Sequence, residues 1–335
     1  MALVDSVEML LEQISADVKT IEANITNVLI LVGAWYTFRI TVRFGAFAVD
    51  CLKCCGRAMK RRNFVREYGR WAIVTGCTKG IGKAFVHKLA SKGLNIILMS
   101  RNIDDLEKEA RFIENLYGVH TLVVQQDFSN FNLESFKTTQ EHLDQLEIGI
   151  LINNVGVHHG PTSFHELTQK QTRAMIDVNM ASTVSLTHAV IPGMIRRRKG
   201  LIVNMSSTAG LLHSPLNALY SATKNFMDHF SNSLSYELAP HGVHVQSLVP
   251  MYIATGMVSY SPTIQRFSLF TPSPETYVEH SMQTFGHYKT NCGYFPHTIQ
   301  RYMIMLPPRW FSVGVLHLLH KYLRKEAIAQ LKKAD

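Results

Sequence analysis

The chain has 335 residues, of which 46% are hydrophobic and 18% are charged, and it contains five cysteines. This length and apolar content can fill one large α/β domain, and they exclude a wholly disordered chain, a collagen, a repeat array and a disulfide-dependent mini-protein. The net charge of +9 comes from residues 51–70 and 321–335, and both segments lie beside apolar segments. We therefore expect these basic residues to bind an anionic membrane surface and not a nucleic acid.

The first predicted element is an amphipathic helix over residues 1–26. Its apolar residues recur at alternating spacings of three and four: Val4, Val7, Leu11, Ile14, Val18, Ile21, Ile25 and Val28. This pattern is typical of a helix that lies on a membrane or on its own domain. A short coiled coil has the same pattern, so a homodimer stays open.

A membrane anchor is expected over residues 27–50. The uninterrupted apolar stretch 28–38 is shorter than the roughly 20 residues that cross a bilayer. The longer stretch 25–49 contains Arg39 and Arg43, which cost about 2.5–3.5 kcal/mol each at the bilayer centre. The anchor is therefore either a marginal transmembrane helix or a deeply interfacial one.

A basic linker over residues 51–68 is expected on the cytoplasmic side of this anchor. Its cysteines Cys51, Cys54 and Cys55 are candidates for palmitoylation, with unmodified thiols as the alternative. Since three clustered cysteines without a nearby histidine make a poor zinc site, and the 16 histidines are scattered, we expect no metal.

From residue 69 to 285 the pattern is that of a single doubly wound α/β domain. Short apolar runs alternate with helical spacing, which predicts a parallel sheet covered on both faces. The predicted strands are Trp71–Thr75, Leu94–Ser100, Thr121–Gln126, Ile148–Asn153, Leu201–Met205 and Val243–Val249. The fold class is a Rossmann-type sheet with an N-terminal anchor helix and a C-terminal helical extension.

The C-terminal part of the chain is less regular. Residues 259–274 are expected to form a loop over a site, followed by a helix over 274–285, since proline favours a first helical turn. Residues 286–335 form a predicted membrane-proximal extension. Its apolar segment 310–323 is either a second membrane contact or a core helix.

The turn after the first strand is rich in glycine: Thr75-Gly76-Cys77-Thr78-Lys79-Gly80-Ile81-Gly82. Glycines between a strand and a helix allow a tight bend and let a pyrophosphate approach the amides of a helix N-terminus. This turn is therefore a candidate dinucleotide-binding site.

The end of the second strand indicates which dinucleotide is bound. An acidic residue that would hold the ribose 2′-hydroxyl of NAD is replaced here by Arg101. Arg101 can pair with a 2′-phosphate, and Lys79 lies in the glycine turn close by. Two cations and no acid favour NADP(H).

Tyr220 and Lys224 are four residues apart and lie on one face of a predicted helix. A nearby cation lowers the pKa of a phenol from about 10, which makes tyrosine a competent proton donor and acceptor. Ser207 lies thirteen residues before Tyr220, just after the fifth predicted strand.

Together, these motifs and the segments Asn153-Asn154-Val155-Gly156 and Asn179 resemble the short-chain dehydrogenase/reductase superfamily over residues 68–260. The resemblance implies that Tyr220 exchanges a proton with the substrate and that Ser207 polarises the carbonyl. It also implies that Lys224 binds the nicotinamide ribose and that Asn179 holds a water that relays protons. The remaining implied contacts are Asp127 with adenine, Asn153 in the central sheet near the adenosine, and Thr255 with the carboxamide.

Within the superfamily, the chain is similar to the membrane-bound branch that contains 17β-hydroxysteroid dehydrogenases types 3 and 12, the latter a very-long-chain 3-oxoacyl-CoA reductase. The anchor Val32-Gly-Ala-Trp-Tyr-Thr37 and the segment Tyr68-Gly-Arg-Trp71 look most like its hydroxysteroid dehydrogenase-like subgroup. Members of that subgroup can lack the catalytic tyrosine, which this chain keeps.

The resemblance implies an NADPH-dependent reductase of a lipid ketone, or a dehydrogenase of the matching hydroxy-lipid, with a steroid or a long-chain 3-oxoacyl-CoA as substrate. A catalytically weak or inactive NADP-binding membrane scaffold is the alternative. Lys332 and Lys333 match a dilysine retrieval signal, so the expected location is the cytosolic face of the endoplasmic reticulum membrane. Mitochondria are the alternative location.

Overall fold

A computed structural model describes residues 2–57, 62–130, 133–266 and 268–334. The chain divides into two compact units, with the division between residues 58 and 59. The side chains of residues 51–57 lie outside the described part of the structure. The palmitoylation expected at Cys51, Cys54 and Cys55 therefore falls outside it as well.

The first unit is one long helix, α1 (Ala2–Arg57). At 1.5 Å per residue its 56 residues measure about 84 Å, well beyond the roughly 30 Å of a bilayer core. The segment Met9–Val42 is long and apolar enough to cross a membrane, with a mean hydropathy of 1.4. The predicted amphipathic helix, the anchor and the start of the linker are thus continuous in one helix.

The second unit is built on a seven-stranded parallel sheet with the order β3-β2-β1-β4-β5-β6-β7. Its strands are β1 (Trp71–Thr75), β2 (Asn95–Ser100), β3 (Thr121–Gln125), β4 (Ile148–Asn153), β5 (Gly200–Met205), β6 (Val243–Leu248) and β7 (Thr290–Asn291). The six predicted strands and the Rossmann-type fold class are confirmed.

Helices cover both faces of the sheet, because alternate strand residues point to opposite sides. Ala72 and Val74 pack with one group of helices and Ile73 with the other. The first group is α2 (Phe64–Tyr68), α3 (Gly80–Ala90), α4 (Ile103–Tyr117) and α10 (Pro274–Met282). The second is α5 (Leu133–Asp144), α7 (Ser182–Arg197) and α8 (Ala218–Leu238).

The remaining helices are α6 (Gln169–Ile176), α9 (Pro262–Gln265), α11 (Phe295–Met305) and α12 (Arg309–Ala334). The predicted helix over 274–285 is present and ends at Met282. The expected loop over 259–274 is irregular apart from α9 and an isolated bridge between Ser268 and Thr271.

The folded unit extends beyond the expected limits of 69 and 285 at both ends. On the N-terminal side, Phe64 and Tyr68 are buried, and Phe64 packs edge-on against Phe285. On the C-terminal side, β7 adds a two-residue strand to β6. The α12 helix docks through Leu323, which is buried against Val258 and Ile264, so its inner face is part of this unit.

Candidate active site

A cavity of about 660 Å³ lies where β1, β4, β5 and β6 end. This volume is typical of a ligand pocket. The strand order reverses between β1 and β4, and ligands of open α/β sheets bind at such a point. Of the predicted site residues, the cavity is lined by Gly76, Lys79, Gly80, Ile81, Arg101, Ser207, Tyr220, Lys224 and Thr255.

The glycine turn forms one end of this cavity. Gly76 and Gly80 have φ values of 62° and 57°, a left-handed conformation that side chains other than glycine's rarely adopt. The α3 helix starts at Gly80 without a side-chain cap, and its first turn, Gly80-Ile81-Gly82-Lys83, contains no acid. Its free backbone amides therefore suit a pyrophosphate.

Gly82 lies behind the turn and packs against it. A Cβ atom there would lie 2.1 Å from the carbonyl oxygen of Gly76 and 2.6 Å from Nδ2 of Asn154. Only glycine allows this close packing. Thr78 lies in the same turn but does not line the cavity.

Asn154, just after β4, holds the glycine turn in place by hydrogen bonds. The sequence did not predict this role. Its Nδ2 donates to the carbonyl oxygens of Thr75 (2.9 Å) and Gly76 (3.3 Å). In return, the hydroxyl of Thr75 accepts from the backbone amides of Asn154 and Val155, each at 2.9 Å. These bonds link the ends of β1 and β4.

Lys79 and Arg101 are both exposed and line the same end of the cavity. Among the described lining residues, none is acidic. The fold thus brings the two predicted phosphate-binding cations together, and the charge around this end suits a phosphorylated ribose.

Three further residues with expected cofactor roles differ in their surroundings. Thr255 approaches the turn, 3.4 Å from a Cβ built on Gly80. Asn153 is buried and donates to Asn204 (2.8 Å) and to Thr187 (3.1 Å), so it lies within the sheet. Asp127 does not line the cavity, and its carboxylate accepts from the amide (2.9 Å) and hydroxyl (2.8 Å) of Ser129.

Lys224 lies one turn after Tyr220 on α8 and also lines the cavity. Its ammonium is buried and donates to the carbonyl oxygen of Met205 at 2.7 Å. Burial lowers the pKa of Lys224 to about 8, because a low-dielectric environment disfavours the charged form.

The pKa of Tyr220 differs from the sequence-based expectation. Burial raises it above its ordinary value of 10, although a hydrogen bond with Ser207 partly offsets this. The ammonium of Lys224 is 5.7 Å from the centre of the phenol ring and points to Met205, so it does not contribute the expected lowering. In this environment Tyr220 is protonated at neutral pH.

Ser207 lines the cavity, whereas Asn179 does not, although its Oδ1 would lie 3.5 Å from a Cβ built on the lining residue Gly156. Ser207 follows β5 and caps a short 3₁₀ turn, its hydroxyl accepting from the amide of Ala209 at 3.2 Å. Asn179 lies in a π-helical turn over Asp177–Ala181, a feature often found at functional sites. Its Oδ1 accepts from Val157 (2.8 Å), and its Nδ2 donates to Thr223 (3.1 Å).

An aromatic group around Tyr220 was also missed by the sequence analysis. The ring of His158 lies 4.5 Å from that of Tyr220 and 5.9 Å from that of Tyr260. The Nε2 of His158 is 2.8 Å from Oδ1 of Asn217, and burial lowers the pKa of His158 to about 4. A neutral ring that donates to Asn217 thus packs against the phenol.

The fold and this site define the class. The sequence pattern of the short chain dehydrogenase family matches residues 70–265, and the chain belongs to this family of nucleotide-dependent oxidoreductases. A short-chain dehydrogenase from Sphingobium yanoikuyae in complex with NADPH has a similar structure, with a TM-score of 0.59 and 25% identity. The match covers 64% of this chain and 84% of that one.

Several relatives are similar over most of their length. The human inactive hydroxysteroid dehydrogenase-like protein 1 is 40% identical over 332 residues, which cover 98% of this chain and 99% of the relative. The Gallus gallus hydroxysteroid dehydrogenase-like protein 1 is also 40% identical, over 99% and 100%. The Mus musculus very-long-chain 3-oxoacyl-CoA reductase is 37% identical, over 79% and 84%. The similarity to this branch is confirmed.

Proposed function

We propose that the chain is an NADPH-dependent ketone reductase that acts on a lipid carbonyl, either a steroid or a long-chain 3-oxoacyl-CoA. The observation that carries the proposal is the placement of Tyr220, Lys224 and Ser207 around one cavity whose other end holds Lys79 and Arg101. The free N-terminus of α3 and these two cations fit the pyrophosphate and the 2′-phosphate of NADPH.

NADPH, when bound, supplies the hydride for the carbonyl carbon. The hydroxyl of Tyr220 donates the proton to the carbonyl oxygen, and its raised pKa keeps it in the protonated form that reduction needs. The hydroxyl of Ser207 donates a hydrogen bond to the same oxygen and stabilises its developing negative charge. Lys224, whose buried ammonium donates to the carbonyl oxygen of Met205, would bind the ribose of the nicotinamide.

The far end of the cavity favours an apolar substrate. Its walls include the apolar residues Leu211, Leu212, Ile304, Met305, Leu316 and Leu319, and the helices α11 and α12 add Arg301 and His320 to the lining. The reductase relative acts, by its name, on very-long-chain 3-oxoacyl-CoA, and the other relatives are named for hydroxysteroids. Both substrate classes match such a wall.

We place the protein on the cytosolic face of the endoplasmic reticulum membrane, with mitochondria as the alternative. The apolar segment of α1 followed by the basic residues 51–70 supports a cytosolic body. The side chain of Lys333, in the predicted dilysine signal, lies outside the described part of the structure.

The decisive experiment follows NADPH oxidation by the detergent-purified full chain with one steroid ketone and one long-chain 3-oxoacyl-CoA. Tyr220→Phe removes the proton donor, so turnover should fall by about 10²-fold or more. Tyr236→Phe is the matched control, because Tyr236 lies on the same helix and is 69% exposed. Full turnover in Tyr220→Phe would refute the mechanism.

A second candidate function is a cofactor-binding membrane scaffold with little or no turnover. The human relative that is 40% identical carries "inactive" in its name, which favours this candidate. It predicts tight NADPH binding by the wild-type chain without oxidation on either substrate. The same assay therefore decides between the two functions.

A further inference from the structure

The C-terminal helices α11 and α12 leave an apolar face without a partner in the described part of the second unit. We propose that this face binds an anionic lipid bilayer, as a membrane contact separate from α1 and located at the wall of the cavity. The proposal goes beyond the proposed reductase activity and does not depend on turnover.

The face consists of large apolar side chains that no described part of the second unit covers. Trp310 is 76% exposed, Leu318 67% and Met303 66%. Phe311, Val315 and Leu306 are exposed as well. We call these six residues the outer face. Such a patch on a folded domain marks a protein or membrane contact, and tryptophan in particular is enriched at the membrane–water interface.

The contacts of α12 with the folded body fix which side faces outward. Leu323 is buried against Val258 and Ile264. His320 is 2.7 Å from the carbonyl oxygen of Pro215 through its Nδ1. Arg324 donates to the hydroxyl of Ser163 at 2.8 Å. Since these contacts hold the inner side, the outer face does not turn inward.

Lysines continue the outer face along the same side of the helix. Lys321, Lys325 and Lys332 are exposed and lie three, seven and fourteen residues after Leu318, spacings that share one side of a helix. The only acid of α12 is Glu326, which accepts from Thr263 at 2.5 Å and is thereby turned toward the body. The outward side thus presents apolar groups and then cations.

This combination selects a bilayer over a second copy of the chain. In a symmetric pair formed through this face, a second copy would offer these lysines no acidic partner from α12, since its one acid, Glu326, is turned toward the body. Anionic headgroups instead attract the lysines while the apolar residues enter the acyl region.

The opposite side of the same helices lines the cavity through Ile304, Met305, Leu316 and Leu319. The outer face and the cavity wall are therefore two sides of one helical layer. A bilayer on the outer face would lie next to the apolar end of the cavity, where a lipid substrate has to enter.

The test measures how deeply Trp310 enters the bilayer, because α1 could hold the chain on vesicles by itself. The full chain carrying Trp35→Phe is reconstituted in vesicles of phosphatidylcholine with 30% phosphatidylserine, with plain or brominated acyl chains. The same chain with Trp310→Phe gives the signal of Trp71 for subtraction. We expect the Trp310 emission to fall at least twofold in brominated lipid, and equal emission in the two lipids would overturn the proposal.

The contribution of charge is tested with Lys321→Glu/Lys325→Glu, for which we expect the quenching of Trp310 to fall by half or more. The matched control is Lys92→Glu/Lys108→Glu, since both of these lysines are exposed and belong to the α3–α4 side of the sheet. Unchanged quenching in Lys321→Glu/Lys325→Glu would contradict the anionic part of the proposal.

A final experiment tests whether a second copy of the chain, in place of a bilayer, covers the outer face. Light scattering of Leu318→Glu in detergent should give the wild-type mass, and NADPH binding should be unchanged, which shows that the variant is folded. A drop in mass together with an unquenched Trp310 in the parent chain would make the face a dimer contact and overturn the membrane assignment.

Discussion

Arg101 is the side chain on which the choice of nucleotide depends. It is exposed and lines the cavity, where its guanidinium can form paired hydrogen bonds with a 2′-phosphate. Hydrogen bonds to charged groups contribute about 1.5–3 kcal/mol. We therefore expect Arg101→Asp to lower the ratio of kcat/KM for NADPH over NADH by at least tenfold.

Arg111→Asp is the control for this prediction, because Arg111 is an exposed arginine on α4 that does not line the cavity. Its cofactor ratio should remain that of the wild type. If Arg101→Asp keeps the wild-type ratio as well, the discrimination between the two nucleotides lies elsewhere.

Lys224 should set the alkaline limit of the reaction. Its pKa is lowered to about 8 by burial, so the ammonium is present below that pH and is lost above it. We expect kcat/KM for reduction to be constant between about pH 6 and 7 and to fall about tenfold per pH unit well above 8. Tyr220, with its raised pKa, adds no loss within this range.

Lys224→Arg tests the assignment, because a guanidinium keeps its charge throughout this range. Whatever rate that variant retains should not fall near pH 8. The lowered pKa also affects folding. Between about pH 8 and 10.5 the unfolded chain binds a proton that the folded chain has released, so stability rises with pH through that window.

Local spacing was enough to predict some residues of the site but not others. Tyr220 and Lys224 lie one helical turn apart, and a pattern of that length is visible in the sequence. Asn154 and His158 act through hydrogen bonds to residues 59 to 79 positions away. No local pattern carries such contacts, since the fold alone brings these residues together. The raised pKa of Tyr220 has the same origin, because burial depends on tertiary packing.

At the scale of elements, the junction of β1 and α3 depends on Gly82. A Cβ there would meet the backbone oxygen of Gly76 at 2.1 Å, and a backbone atom in a tight turn has little room to move. We expect Gly82→Ala to weaken NADPH binding more than tenfold and to destabilise the chain by about 1–3 kcal/mol, seen as a Tm several degrees lower.

Gly314→Ala provides the comparison for this change. It adds the same methyl group within α12, where a Cβ meets nothing within 4 Å. Because alanine favours a helix over glycine by about 0.5–1 kcal/mol, this variant should be as stable as the wild type or slightly more so. If both variants behave alike, the packing of Gly82 against the turn is unimportant.

The elements that sequence reasoning placed well are the long apolar strands, since each alternates with a helix of clear periodicity. β7 was missed because two residues are too few for any periodic signal. The N-terminal segment was divided at changes of charge and polarity, yet residues 1–57 contain no proline. A change in surface chemistry does not end a helix when its backbone hydrogen bonds continue.

At the scale of the whole molecule, the predicted dimer contact and the catalytic residues belong to different units. The cavity and every proposed catalytic side chain belong to the second unit. The apolar residues of α1 that recur every three or four positions, here called the seam, belong to the first. Leu11 is 60% exposed and Ile14 52%, as expected for a seam that a second copy of the helix could cover. Changes on this seam should therefore alter assembly without altering the site.

Leu11→Asp/Ile14→Asp puts two carboxylates into the seam, so a coiled-coil dimer should become a monomer by light scattering in detergent while NADPH affinity stays unchanged. Gln13→Asp/Thr20→Asp adds equal charge on the opposite side of the helix and should leave the mass as it is. A wild-type chain that is already monomeric would contradict the seam as a dimer contact, and the exposed apolar residues of α1 would then be left to the membrane. A dimer that survives both changes would place the contact in the second unit, where α12 offers the other large apolar face.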